Sequence, residues 1–368
     1  MPTGAALSEH PLATHALGEC VGHLLEVGGP RPDLLVVMST AAHAGALEDI
    51  AAAARELLAP EVLIGASAAS VLGGELEVEE RPALAMFAVW DVGDAVRPVR
   101  IADGAAALEG VAGTLVLVGD PFTCDPEVLV DQLAEAAPQL TVVGGMASAA
   151  RHRGGNRLLL DDRWFTDGAV GVVLGPAARV TAVVSQGCRP VGVPMTVTAG
   201  EHRVVRELAG RPALDLLREV VAGLPPEDQL RAAPGLLLGR VVDEQRDEFA
   251  PGDFLVRSVL GADPDNGALA LAEGCEVGTT VQFHVRDATT AHQDLVETLQ
   301  GRTASGALVF TSTGRGAALF PTPDHDAAAI AESLDTPSIA GMLSAGELGP
   351  VGGRNAAHTM SAAVLLVD

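Results

Sequence analysis

The sequence predicts an α/β protein: mixed sheets with helices on the outside, in two related domains built from repeated strand–helix–strand units. Three observations carry this expectation. An order of strand, helix, proline, short strand, glycine and small residues is written three times along the chain. Between the copies the chain turns strand-rich, with short apolar runs bounded by turn residues. At 368 residues it is also too long for one comfortable core.

Taken in order, Leu17, Val21, Leu24 and Leu25 place an amphipathic helix over 12–27, ended by Gly28, Gly29 and Pro30. The first copy follows as a strand at 34–38, a helix at 47–58, Pro60 and a strand at 62–64, leading into a small-residue loop at 65–70 that contains Ser67. The second copy has a strand at 115–118 and a helix at 127–137 begun by Asp125 and Pro126, a good cap and first-turn pair. Pro138 ends that helix, and a strand at 141–143 leads into a turn at Gly144, Gly145 and Ser148. The third copy has a strand at 308–310, a helix at 327–334, Pro337, a strand from Ile339, and Ser344, Ala345 and Gly346. A strand–helix–strand unit with a short crossover favours parallel pairing. Ligands in such sheets collect where the carboxyl ends of strands open into loops, so the three small-residue loops predict one shared cavity wall. Small residues also let helices sit close to a sheet, and that accounts for part of the pattern.

Between the copies a strand is expected at 84–90, a hairpin from 168–174 and 180–185, and a turn at 186–192 carrying Cys188 and Arg189. A helix at 211–222 leads to the proline-rich stretch 223–228, the best linker candidate. The expected domains are therefore 12–224 and 225–368. Antiparallel strands at 254–260, 268–271 and 280–285, with a turn at 263–266, and a helix at 290–299 complete the chain.

Composition narrows the function. Ala, Val, Leu and Gly make the core, and aromatic residues are only 3%, which leaves few rings for stacking bases. The formal net charge of −25 repels phosphate backbones and anionic membranes, so neither nucleic acid nor a membrane is an expected partner. Cys20, Cys124, Cys188 and Cys275 lie far apart, form no C-x-x-C pair and suit a reducing cytoplasm. No signal peptide is visible, and the histidines show no metal-ligand spacing. Walker, dinucleotide and G-x-S-x-G patterns are absent, and Ser148 lacks the elbow context of a serine hydrolase.

The densest stretch runs from 307 to 359. One strand enters a turn at Ser312, Gly314, Arg315 and Gly316, and another enters a loop over 341–353 with Gly346 and Glu347 in its middle. Glycines let a ligand approach the backbone, and the guanidinium fork suits a carboxylate or phosphate. With Glu347 taking an ammonium, the pair would fit a zwitterion such as an amino acid. Alternatively, Arg315 and Glu347 staple the loops by pairing with each other. Cys188 beside Arg189 is either a thiolate held by a cation or a buried apolar residue. His358 is a base, a haem ligand or a hydrogen-bonded structural residue.

The chain resembles the FIST family, found in bacterial signalling proteins and in an F-box protein. Phe310, Ser312, Gly314, Arg315 and Gly316 meet its F-x-[SC]-x-G-R-G pattern, and Gly346, Glu347, Leu348, Gly349 and Pro350 meet G-E-[IL]-G-P, followed by the segment near His358 and Thr359. Gly144, Gly145, Ala147 and Ser148, then Asp167 to Val170, then Gln186 to Pro190 match the N-terminal domain. The resemblance implies a sensory module binding a small molecule, with no cofactor in the first reading and haem in a second, in which the protein senses nitric oxide. It also implies a histidine kinase or another signalling protein acting in trans, since no length is left for such an output domain. An enzyme using Cys188 or His358 is the remaining alternative. Ser312 and Ser67 stand where relatives often carry cysteine, which argues against thiol chemistry there.

Overall fold

A computed structural model describes residues 1–102, 104–232, 235–246, 249, 252–272 and 274–368. Their contacts divide the chain into two compact units. One comprises Met1–Ser185, Leu295–Pro350 and Arg354–Asp368; the other comprises Gln186–Asp294 and Val351–Gly353. Position 224/225 falls inside the second of these, where Leu214, Leu224 and Ala232 on either side of it pack on the same core.

The first unit holds the three repeats, and each forms the expected parallel pair. Leu34–Thr40 pairs with Val62–Ala68, Gly113–Gly119 with Leu140–Met146, and Gly306–Ser312 with Ile339–Ser344. Their crossover helices are Leu47–Leu58, Pro126–Ala136 and His325–Leu334. Asp125 caps the second helix by accepting from the Glu127 and Val128 amides. Each pair sits in its own six-stranded sheet, flanked by antiparallel strands. The first four strands of the repeats read as continuous apolar runs because both of their faces are covered. The inner faces of the three sheets share one core that includes Val36, Phe87, Val116, Val143, Phe310 and Met342. Each outer face carries helices; Ile330 and Leu334, for example, pack on Val309 and Val364 of the third sheet.

The small-residue segments differ from the expectation. They continue the strands instead of opening into loops: Ser67 lies within Val62–Ala68, and Gly144 and Gly145 within Leu140–Met146. The reason is the same in every copy. A Cβ on Gly65 would lie 2.2 Å from the Val37 carbonyl oxygen, one on Gly144 1.9 Å from that of Leu117, and one on Gly341 2.1 Å from that of Val309. Each glycine stands beside that residue on its parallel neighbour, so glycine is required by backbone approach within the sheet.

Two further readings are corrected. Ala169–Leu174 and Val180–Gln186 do not form a hairpin: the former lies between Gly113–Gly119 and Val96–Ile101, the latter beside Ser361–Val367 in another sheet. The stretch around Cys188 and Arg189 is no turn either, because it opens the long strand Cys188–Glu201.

The second unit is an antiparallel barrel. Cys188–Glu201, Thr280–Arg286, Leu237–Val241, Phe254–Asp263, Ala268–Leu271 and Val204–Leu208 follow one another, and the last pairs back to the first. Helices Ala213–Gly223 and Pro226–Ala232 add to its apolar core. Among the described residues no helix is long and apolar enough to cross a membrane.

Candidate functional site

The three strand ends of the first unit do meet. The Ser148 hydroxyl accepts from the Ala69 amide, just past the first repeat, and donates to the Leu343 carbonyl of the third. The Met146 amide donates to Gly346, and the Ala345 amide donates back to Met146. Glu347–Val351 then runs antiparallel to Leu140–Met146, setting Glu347 opposite Gly145 and Leu348 opposite Gly144. Ser67 joins the same region through Arg157, whose amide donates to its hydroxyl. The expected shared wall is therefore closed by direct hydrogen bonds between its own parts.

Within the third sheet, strand alternation turns Thr311 to the helix side and Ser312 and Ser344 to the inner side. On the helix side, Arg315 and Asp326 are both wholly buried and paired through two bonds, Nε to Oδ2 at 2.7 Å and Nη2 to Oδ1 at 2.8 Å. Thr311 donates to the same carboxylate, and His325 lies 3.0 Å from it. The Phe320 ring lies under the guanidinium and stacks on His325. Burial opposes the ionisation of Asp326, but the charge and hydrogen bonds of Arg315, with help from His325 and Thr311, hold it well below the usual carboxylate range. Glu77, on the edge strand Leu76–Glu79, accepts from the Asp326 and Ala327 amides at the helix N-terminus. Burial and the neighbouring Asp326 charge push Glu77 up to about 7, despite those amide bonds. Glu79 accepts from the Ala317 amide, and Gly316 comes so close that a Cβ there would lie 2.6 Å from Glu79 Oε1.

The expected staple thus has a different partner: Arg315 pairs with Asp326 and not with Glu347. Sequence reading missed Asp326 because an acidic residue in the first turn of a helix reads as ordinary dipole compensation. It missed Glu77 because the acidic stretch 75–80 reads as solvated surface.

On the inner side, Glu347 is wholly buried and accepts from both the amide and the hydroxyl of Ser361 through Oε2. Burial raises its carboxyl to about 8; Ser361, the Arg315 charge and the nearby Ser312 hydroxyl pull the other way without overcoming it. Glu347 Oε1 and Ser344 Oγ are buried and make no hydrogen bond among the described residues. Both flank Gly145, where an added Cβ would meet Ser344 Oγ at 2.2 Å. Ser312 registers with Ser344 across the parallel pair, so three serines and one glutamate border this nest. Above it are exposed Ala345 and half-buried Gly346, whose φ of +129° favours glycine. Exposed Thr313 and half-buried Gly314 form the neighbouring turn. Ser361 carried no sequence signal; Ser344 did, as the serine that closes the third copy.

Of the remaining candidates, His358 adjoins the Gly346 turn, its carbonyl oxygen 3.9 Å from where a Cβ on Gly346 would stand. His358 is 4% exposed, with Nε2 3.1 Å from the Gly349 carbonyl oxygen, so an iron at that nitrogen would have to break an existing contact. Cys188 and Arg189 belong to the second unit. Cys188 is buried, and Arg189 bonds Asp228 and Asp287, both of which it helps hold below the usual carboxylate range. Among the described residues no group of three or more His, Cys, Asp or Glu could hold a metal ion.

Comparison with known proteins finds two family models in order along the chain, their junction inside the second unit. The FIST N domain model matches residues 33–211, and the FIST C domain model matches 213–350. An uncharacterized protein of Mycobacterium tuberculosis is 39% identical over 381 residues, covering 100% of this chain and 99% of its own. One of Mycobacterium bovis is 38% identical over 382 residues, covering 100% and 98%. With both domain models matched in order and relatives similar from end to end, the chain belongs to the FIST family.

Proposed function

We propose that the protein is a cytoplasmic sensor that binds a small polar ligand in the nest beside Gly145, between Glu347 and Ser344. FIST domains are associated with signal transduction and sensing. The observation that carries the ligand reading is the pair of buried polar atoms left without partners, Glu347 Oε1 and Ser344 Oγ. Such atoms carry a desolvation cost that a ligand's hydrogen bonds would remove. The turns at 313–314 and 345–346 each carry an exposed residue, Thr313 and Ala345, and they open to admit the ligand. Arg315 acts from behind the sheet: already committed to Asp326, it fixes the turn and supplies positive potential. The ligand is accordingly read chiefly by hydrogen bonds to a protonated carboxyl and to hydroxyls, and an amino acid or a related small anion is the class to test. Output passes to a separate signalling protein, such as a histidine kinase.

Isothermal calorimetry against a panel of amino acids and small carboxylates tests the reading. Binding should weaken by about tenfold in Ser344→Ala, from loss of one buried hydrogen bond. Heats unchanged in both Ser344→Ala and Glu347→Gln would remove the nest as the site.

A further inference from the structure

The strand Thr3–Ser8 is the terminal strand of its sheet, paired on one side only, with Leu84–Val89. Its register shows which of its backbone groups face outward. The Trp90 amide donates to the Pro2 carbonyl, so positions 4, 6 and 8 exchange the ladder bonds with 88, 86 and 84. The N–H and C=O of Thr3, Ala5 and Leu7 therefore point to the open edge. Beside that edge runs a groove of about 1070 Å³, floored by residues 5–9 and the turn at 73–76. Helix Ala13–Val27 forms one side through Glu19 and His23, and helix His325–Leu334 the other through Ala328, Ala331 and Glu332. Four consecutive residues of that strand, Ala5 to Ser8, line it, both side-chain parities together, as a strand seen edge-on requires.

The charge of the groove is one-sided. Glu9, Glu19, Glu75, Glu332 and Asp335 line it, with no lysine or arginine among its described lining residues. Glu9 is answered by Arg81, and Glu19 accepts from Ser8, while Glu75, Glu332 and Asp335 stand exposed on the rim. Leu76 adds an apolar side chain that is 49% exposed.

We infer that this open edge and its acidic groove dock an extended basic segment of a partner protein, bound as an added strand. Backbone pairing to Ala5 and Leu7 supplies affinity, apolar side chains pack toward Leu76, and basic side chains meet the carboxylates of the rim. The site lies apart from the Gly145 nest and does not depend on it. An edge guarded by acids solely against self-association is the competing account.

The test uses the full chain and a fluorescent, end-blocked octapeptide alternating lysine and valine, read by anisotropy at low salt. Binding is expected, and it should weaken at least about tenfold when glutamate replaces lysine or in the triple variant E75Q/E332Q/D335N. It should weaken comparably when every second peptide nitrogen is methylated, a change that spares charge and removes strand donors. Absence of binding, or equal binding of the methylated peptide, overturns the proposal. So does self-association of the protein that Ala5→Pro abolishes, which would assign the edge to a second copy of this chain.

Discussion

Glu347 stands directly opposite Gly145, and this pairing brings the carboxyl of the third repeat over the strand end of the second. Gly145 is required there because Ser344 fills the space a methyl would take, with Oγ at 2.2 Å and Cβ at 2.8 Å from that position. Gly145→Ala is therefore expected to destabilise the protein by about 2 kcal/mol, the usual scale of overpacking. Adding Ser344→Gly should return part of the loss. Denaturant unfolding of the two single variants and the double variant gives the coupling.

Arg315 and Asp326 support the turn from behind. Arg315→Ala leaves a buried carboxylate without its cation, and the expected cost is roughly 3–5 kcal/mol. Arg315→Lys should recover little, because a single ammonium does not reproduce two parallel bonds. Urea midpoints for the three proteins check this.

The two raised carboxyls set a pH dependence. Glu347 moves from an ordinary 4.5 to about 8, and Glu77 to about 7. In that window the folded state holds protons that the unfolded chain has released. Their stabilising contribution is complete below about 4.5 and is lost as pH rises through 7 and 8. His284, lowered by burial to about 4, acts oppositely: its contribution is present above 6.5 and is lost as pH falls toward 4. The informative quantity is therefore the melting temperature of the native protein minus that of Glu347→Gln. It should fall between pH 5 and 8.5; a flat difference would contradict the buried, protonated carboxyl.

The thiols should be inert in the native state. Burial pushes Cys20 up to about 12 and Cys124 up to about 11, in each case aided by acidic neighbours, and Cys188 is buried. Labelling by a thiol-directed reagent at neutral pH should be slow and should not change in Cys188→Ser. Rapid labelling lost in that variant would favour the thiol enzyme.

Much of the first unit was legible because its three repeats punctuate themselves. Proline closes each helix and glycine marks each second strand, so the parallel pairs followed from local signals. What those glycines do was not legible. A carbonyl 1.9 Å from an imagined Cβ on Gly144 is a property of the neighbouring strand, and sequence shows only the gap. The same limit hid the partner of Arg315. Glu347 was the nearer match by motif, yet it lies in a strand of the second sheet opposite Gly145, and the helix beginning at His325 brings Asp326 to the arginine. The sheet assignments of 169–174 and 180–186 escaped for a related reason: adjacent strands usually pair, and here they part between sheets.

The central claim is that Glu347 and Ser344 meet a ligand, and a crystal structure with the tightest compound from the calorimetric panel tests it most directly. The account predicts a polar ligand atom at about 3 Å from both Ser344 Oγ and Glu347 Oε1, with the turn at 345–346 displaced to admit it. A ligand bound elsewhere, with the nest still closed and empty, would contradict it.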